Sequence, residues 1–93
     1  MNMQIHKLLN AVTATGAGSS VAIENANKVW QVYGTFVGTV SLEASLDNTN
    51  WVQLGTLTAA GKLADTSPFR YIRGNVTSYT SGSITCLLGE GAM

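Results

Sequence analysis

The chain has 93 residues, enough for one domain, and its charge is low and balanced, with five Lys and Arg against five Asp and Glu. That balance excludes the basic face that nucleic-acid or anionic-membrane binding requires, so we expect neither partner. With one cysteine and one histidine, the chain can form no internal disulfide and supplies too few ligands for a zinc site. Oligomerisation then remains as a common way to stabilise so small a domain.

The N-terminal segment differs from the rest of the chain. Four apolar residues follow the helical spacing i, i+3, i+4 and i+7: Ile5, Leu8, Leu9 and Val12. This spacing predicts a short helix, and an arm or strand that becomes ordered on a partner fits equally well. A loop of small residues follows, so we expect an N-terminal arm over residues 1–15 and a single β domain over residues 16–93. No apolar run is long enough for a signal-peptide core or a membrane span, so we expect synthesis in the cytoplasm.

The clearest element after the arm is a β-hairpin. Apolar residues alternate with polar ones along its first strand, at Val40, Leu42, Ala44 and Leu46. Four turn-forming residues, 47–50, follow this strand, and a second strand begins at Trp51.

Other short strands are predicted over residues 20–24, 29–35, 69–76 and 83–88, with a weaker strand pair over 57–63. Residues 77–82 are rich in Ser, Thr and Gly and predict a loop. The whole pattern predicts an all-β fold. We expect a compact antiparallel β-sandwich or small jelly-roll-like barrel of about seven or eight short strands, with an N-terminal arm.

Reactive side chains are few and scattered. His6 lies in the arm, away from any acid or nucleophile placed by the sequence, which favours a solvated or interface histidine. Cys86 alternates with Ile84 and Leu88, which predicts a buried thiol that acts as a small hydrophobe. The turn at 47–50 resembles a calcium loop, but one carboxylate without a closing glutamate favours a hydrogen-bonded Asx turn. We therefore expect no catalytic residue, no metal site, no cofactor and no enzymatic activity.

The aromatic residues allow two interpretations. Flat rings with polar atoms suit a sugar-stacking platform, and the candidates are Trp30, Tyr33, Trp51, Tyr71 and Tyr79. A small sandwich also needs large rings in its core, and we expect both tryptophans there. Tyr79 lies in the predicted Ser/Thr/Gly loop and is the aromatic residue expected to be most exposed. If a ligand binds, Tyr79 and Trp51 are the candidate contacts.

Two arginines flank Tyr71 and Ile72. Strand alternation places Arg70 and Arg73 on opposite faces, so one guanidinium points inward or across an interface. It then needs a carboxylate or carbonyl partner, for which Glu43 and Asp47 are candidates. An internal salt bridge and one between subunits fit the sequence equally well.

Three stretches carry a family resemblance: SLEASLDNTNWVQLG at 41–55, PFRYIRGNVT at 68–77 and TSGSITCLLG at 80–89. The weaker resemblance is to discoidin-type (factor V/VIII C-domain) sandwiches, which also contain S-x-D-x-x-x-W followed by R-Y-I-R, and it covers residues 42–73. The closer resemblance, over residues 29–89, is to small virion proteins of tailed bacteriophages, especially capsid decoration (cement) proteins. Those proteins are compact β domains, often trimeric, with a terminal arm laid on the capsid lattice.

The resemblance implies a non-enzymatic structural protein that decorates the phage capsid surface as a homo-oligomer, with a trimer favoured. The major capsid protein lattice would be its partner. Capsid or intersubunit contacts are then expected at Ile5, Leu8, Leu9, Arg70 and Arg73. Two alternatives remain open: a carbohydrate-binding or receptor-adhesion module that uses Tyr79 and Trp51, and a tail or head–tail connector component.

Overall fold

The computed structural model describes residues 3–91, which form nine β-strands and no helix. The strands are β1 (Gln4–Val12), β2 (Gly16–Ala17), β3 (Val21–Ala22), β4 (Lys28–Tyr33), β5 (Phe36–Ser45), β6 (Val52–Leu57), β7 (Gly61–Asp65), β8 (Tyr71–Gly82) and β9 (Ile84–Glu90). They build two antiparallel sheets. The four-stranded sheet has the order β1-β9-β4-β7, and the five-stranded sheet has the order β2-β8-β5-β6 with β3 also paired to β8. The predicted all-β sandwich is confirmed.

The core lies between the two sheets and follows the alternation of the central strands. The four-stranded sheet contributes Trp30 and Val32 from β4 and Ile84, Cys86 and Leu88 from β9, and all are at most 1% exposed. The five-stranded sheet faces them with five equally buried side chains: Val40, Leu42, Ala44, Ile72 and Val76. Trp30 is a core residue as predicted, although its indole Nε1 has no hydrogen-bond partner among the described residues. The large area that its ring buries offsets that cost.

The N-terminal segment is a strand of the four-stranded sheet, and the helical interpretation of its spacing is wrong. Residues 4–12 pair antiparallel with β9, from Gln4 opposite Glu90 to Val12 opposite Ile84. The register shifts twice, between Lys7 and Leu9 and again between Leu9 and Val12. Because the first shift adds one residue to β1, both Leu8 and Leu9 face the core, at 3% and 2% exposure. The three residues Leu8, Leu9 and Val12 thus pack against the core, whereas Ile5 lies on the opposite, exposed face.

The loop predicted over residues 77–82 is also wrong, because β8 continues as a strand to Gly82. This extension pairs with the start of β5, where Ser81 lies opposite Val37 and Gly82 opposite Phe36. The Ser and Gly residues favour a loop, but threonine and tyrosine favour strands, and pairing with β5 decides the conformation. The chain reverses only at Gly82, whose φ of 92° suits glycine. A Cβ at this position would also meet the carbonyl oxygen of Thr35.

The predicted Asx turn is confirmed. Asp47 Oδ1 accepts hydrogen bonds from the backbone N–H groups of Asn50 (2.8 Å) and Thr49 (2.9 Å) and from the Ser45 hydroxyl (2.9 Å). The Asn50 side-chain amide donates to the other carboxylate oxygen at 2.8 Å. The hydrogen bonds, led by that from the Asn50 backbone, hold the pKa of Asp47 well below its usual range.

Candidate functional site

The two side chains Cys86 and His6 are both engaged within the fold. Cys86 is fully buried, and that burial raises the pKa of its thiol to about 12. His6 lies on β1, with its Nε2 2.7 Å from the Glu90 carboxylate. Among residues 3–91, no group of three or more His, Cys, Asp and Glu side chains is arranged to hold a metal ion. The same part of the chain contains no helix long and apolar enough to cross a membrane.

A buried carboxylate closes one end of the four-stranded sheet. Glu90 accepts hydrogen bonds from the backbone N–H groups of Glu24 (2.9 Å) and Asn25 (3.1 Å) and from the Asn25 side-chain amide (3.0 Å). Burial alone would raise the pKa of Glu90, but these bonds and the contact with His6 outweigh it and leave the pKa lowered. The carboxylate therefore joins the loop before β4 to strands β1 and β9, which is a structural role.

A buried ammonium, that of Lys28 on β4, likewise joins loop residues to strand β7. Lys28 Nζ donates to the carbonyl oxygens of Ala26 (2.9 Å) and Ser67 (2.6 Å) and lies 3.0 Å from Asp65 Oδ2. Asp65 also accepts hydrogen bonds from the hydroxyl and backbone N–H of Ser67. Burial would raise the pKa of Asp65, but Ser67 and Lys28 together lower it. Sequence reasoning missed this site, because a lysine at the start of a strand gives no local sign that it is buried.

The outer face of the five-stranded sheet carries a polar network around Glu43. Arg73 Nε donates to Glu43 Oε1 at 2.7 Å, and the Asn75 amide donates to Glu43 Oε2 at 3.3 Å. The Arg73 guanidinium also lies 4.2 Å from the centre of the Trp51 ring. Of the two candidate carboxylates, Glu43 and Asp47, the structure pairs Glu43 with Arg73 within the chain. Trp51 is only partly buried, so the expectation that it belongs to the core is wrong.

The two candidate ligand aromatics lie far apart. Trp51 precedes Val52, which pairs with Ala44 on β5, whereas Tyr79 pairs with Gly38 on the same strand. These two positions are six steps apart along β5, which is about 20 Å along a strand. Tyr79 is partly buried, and its hydroxyl donates to the Gly82 carbonyl oxygen at 2.7 Å. Tyr33 is more exposed, at 43%, so the expectation that Tyr79 is the most exposed aromatic residue is wrong. The two rings therefore do not form one stacking platform.

Two open grooves, which share Leu46 and Phe69, adjoin at the end of the sandwich beside the β5–β6 hairpin. We call them together the end groove. Its apolar lining includes Leu46, Val52, Pro68 and Phe69, and its polar lining includes Glu24, Asn25, Asp47, Asn50 and Arg70. Leu46 is 68% exposed and Val52 is 50% exposed. Leu46 was predicted on the core face with Val40, but β5 ends at Ser45 and the side chain beyond it projects into solvent. Arg70 is exposed on this groove, 6.0 Å from the ring of its neighbour Tyr71.

The outer face of the four-stranded sheet has two rows of side chains defined by the strand register. The first row runs from edge to edge as Ile5, Gly89, Val29 and Ala64. The second, parallel row runs as Lys7, Leu87, Gln31 and Lys62. We call this surface of eight residues the lysine face. Ile5, the one predicted arm contact that is not buried, is 60% exposed on it.

The fold of this chain is similar to that in the crystal structure of the SPBc2 prophage-derived protein YomS, with a TM-score of 0.79 at 10% sequence identity. The match covers 97% of this chain and 94% of that chain. Because β1 has nine residues, the uncovered 3% of this chain is too short to contain the whole strand. No family model matches the chain, and no curated protein matches it significantly.

Proposed function

We propose that this protein is a non-enzymatic structural protein of a phage virion, a decoration (cement) protein on the outer surface of the capsid. The observation that carries the proposal is the likeness of its fold to a prophage-derived protein over nearly the whole of both chains. The likeness supports a phage protein, and the resemblance of residues 29–89 to decoration proteins is what favours the capsid surface. The major capsid protein lattice would be the partner, and the protein would act as a homo-oligomer, with a trimer favoured.

Exposed apolar side chains supply surfaces for these contacts. Ile5 on the lysine face and Leu46 and Val52 in the end groove are each at least half exposed, which is the kind of surface that protein interfaces cover. Of the predicted contact residues, Ile5 and Arg70 are accessible, whereas Leu8 and Leu9 lie in the core. Arg73 is engaged by Glu43 within the same chain. The proposal therefore assigns partner contacts to Ile5 and Arg70.

The mechanism of stabilisation is mass action. A protein that binds the assembled lattice and not its separated subunits stabilises each occupied site by RT ln(1 + [L]/Kd), about 2.7 kcal/mol when the free protein is at 100 times its Kd. No covalent or catalytic step is needed. The paired strands of the sandwich, including β1, give a preformed surface, so little ordering cost is expected on binding.

The test uses heads of the encoding phage assembled without the gene for this chain. Purified protein should co-sediment with these heads to a fixed number of copies per head and raise the temperature at which they disassemble. Light scattering of the free protein gives its oligomeric state. A second measurement separates intact virions into heads and tails and asks which fraction holds the protein. The proposal is overturned if the protein is found only in the tail fraction, or if the heads bind none.

The adhesion alternative loses support from the geometry. One face of the Trp51 ring is covered by Arg73, and the Tyr79 hydroxyl is already bonded within the chain. Titration with oligosaccharides should therefore leave tryptophan fluorescence unchanged. Separation of virions into heads and tails also tests the tail or connector alternative, which predicts the protein in the tail fraction or at the head–tail junction.

A further inference from the structure

The charges of the chain balance in number but not in position. The described residues contain three ion pairs, and they use the acids Glu43, Asp65 and Glu90. Lys7 and Lys62 are exposed and have no ion-pair partner among residues 3–91. Both lie in one row of the lysine face, on the two edge strands of the sheet.

This geometry gives the lysine face a defined pattern. Three strand spacings of about 4.8 Å separate β1 from β7, so the two lysines lie about 14 Å apart across the sheet. The adjacent row, from Ile5 to Ala64, is entirely apolar, and the eight positions of the face include no acidic residue. The side chains of Met3 and Ile5 lie over Gly89, so the apolar surface extends beyond the row itself.

We propose that the lysine face is the surface by which this protein docks on its partner, an apolar protein surface bordered by carboxylates. The apolar row would supply buried area, and the two lysines would fix orientation and speed association by pairing with acids of the partner. The inference rests on the proposed function, in which that partner is the capsid lattice.

Other occupants fit this pattern less well. Two copies of the face packed against each other would bring lysines to a surface that has no acid to receive them, which opposes self-association. A nucleic acid would need more cations than two and would leave the apolar row without a partner. Carboxylates beside apolar side chains satisfy both rows at once.

The test compares two double variants on the same decoration-free heads. Lys7→Gln/Lys62→Gln removes both positive charges from the lysine face. Thr56→Glu/Thr77→Glu makes the same change in net charge at exposed positions of β6 and β8 on the other sheet. All four positions are exposed, so the variants should unfold at concentrations of denaturant close to that of the wild type.

We expect the lysine double variant to bind heads about tenfold more weakly, with a reduced salt dependence, and the threonine double variant to bind as the wild type does. Lys7→Glu/Lys62→Glu should weaken binding further, by about a hundredfold, because repulsion replaces attraction. Carbodiimide coupling should join Lys7 and Lys62 to carboxylates of the capsid protein, with an amide formed and water lost at each site.

The remaining outcomes separate the two proposals. Unchanged binding of the lysine variants, beside clear binding of the wild type, overturns the docking surface and leaves the capsid function standing. Equal weakening of both double variants also overturns it, because net charge and not position would then control binding. A shift in the oligomeric state of the free lysine variants identifies the face as a self-association surface and overturns the proposal. Failure of the wild type to bind heads overturns the capsid function and this inference with it.

Discussion

On the outer face of the five-stranded sheet, opposite charges meet directly. Glu43 and Arg73 are register partners on adjacent strands and form a hydrogen-bonded ion pair, with Asn75 and Trp51 around it. On the outer face of the four-stranded sheet, two like charges, Lys7 and Lys62, occupy one row on opposite edges. The same alternating strands therefore produce one face that satisfies its own charges and one face that does not.

The difference teaches that strand register decides which surface is available to a partner. An internal ion pair with additional hydrogen bonds supports its own fold and has little left to offer another molecule. Lysines separated by the width of a sheet contribute little to folding and keep their capacity to bind. Variants on the two sheets test this contrast.

The largest effect is expected for Leu9→Ala. Leu9 is 2% exposed and packs beside Gly74 of the opposite sheet, so it anchors β1 and with it Ile5 and Lys7 of the lysine face. The variant should lose about 2–5 kcal/mol of unfolding free energy in urea. Ile5→Ala, on the exposed side of the same strand, is the control and should change it by less than about 0.5 kcal/mol. Equal losses in the two variants would contradict the strand assignment and restore a separate arm.

A smaller effect is expected when the ion pair of the five-stranded sheet is removed. Glu43→Ala leaves the Arg73 guanidinium and the Asn75 amide without their acceptor, and should cost about 1–3 kcal/mol of unfolding free energy. Lys62→Ala on the lysine face should cost less than about 0.5 kcal/mol. Chemical denaturation of the two variants in one buffer measures the difference between their losses of unfolding free energy. An equal or larger loss in Lys62→Ala would contradict the contrast between the two faces.

Acid should weaken the internal charge sites. The pKa values of Glu90 and Asp65 are lowered from ordinary values of 4.5 and 3.8, so their contribution to stability is full above those values. It is lost as the pH falls through the lower pKa values of the folded protein, since the unfolded state then binds more protons. Glu90→Gln should therefore show a shallower fall in stability below about pH 4.5 than the wild type. Unfolding curves from pH 6 down to pH 2.5, at about half-unit steps, would show parallel slopes if Glu90 plays no such part.

The smallest effect is expected for Tyr79→Phe. This variant removes a partly exposed hydrogen bond to the Gly82 carbonyl oxygen, worth about 0.5 kcal/mol in such a setting. Thermal unfolding measured beside Thr80→Ser, a conservative change at the adjacent exposed position, provides the comparison. A loss above about 1.5 kcal/mol would show that the β8 extension contributes more to the fold than its exposure suggests.

Local patterns predicted the parts of the fold that depend on neighbours in sequence. Alternation in β4 and β9 placed Trp30 and Cys86 in the core, and the Asx turn at Asp47 followed from its residue types. In β1 the same kind of reasoning failed, because two bulges shift the phase of the alternation, so that Leu8, Leu9 and Val12 face the core and Ile5 does not. The loop prediction for residues 77–82 failed for a related reason, since pairing with β5 gives this Ser/Thr-rich segment its strand conformation.

The surfaces depend on long-range pairing, which the sequence alone does not reveal. The lysine face exists because β9 pairs with β1 on one side and with β4 on the other, and because β4 pairs with β7. Lys7 and Lys62 are 55 positions apart in the chain and share a row only through these registers. Glu43 was one of two candidate partners for an arginine, and only the register, which sets Glu43 opposite Arg73, selects it.

The position of β9 also constrains how the molecule is made. Ile84–Glu90 lies between β1 and β4 and carries hydrogen bonds to both, although those strands emerge much earlier in synthesis. Until β9 leaves the ribosome, β1 has no partner in its sheet. One edge of β4 also stays unpaired, and Trp30 lacks its register partner Leu88. Such non-local pairing is slow to form and leaves unpaired strand edges exposed in the meantime. The nascent chain therefore exposes these edges until β9 appears, and one seven-residue segment then joins β1 to β4.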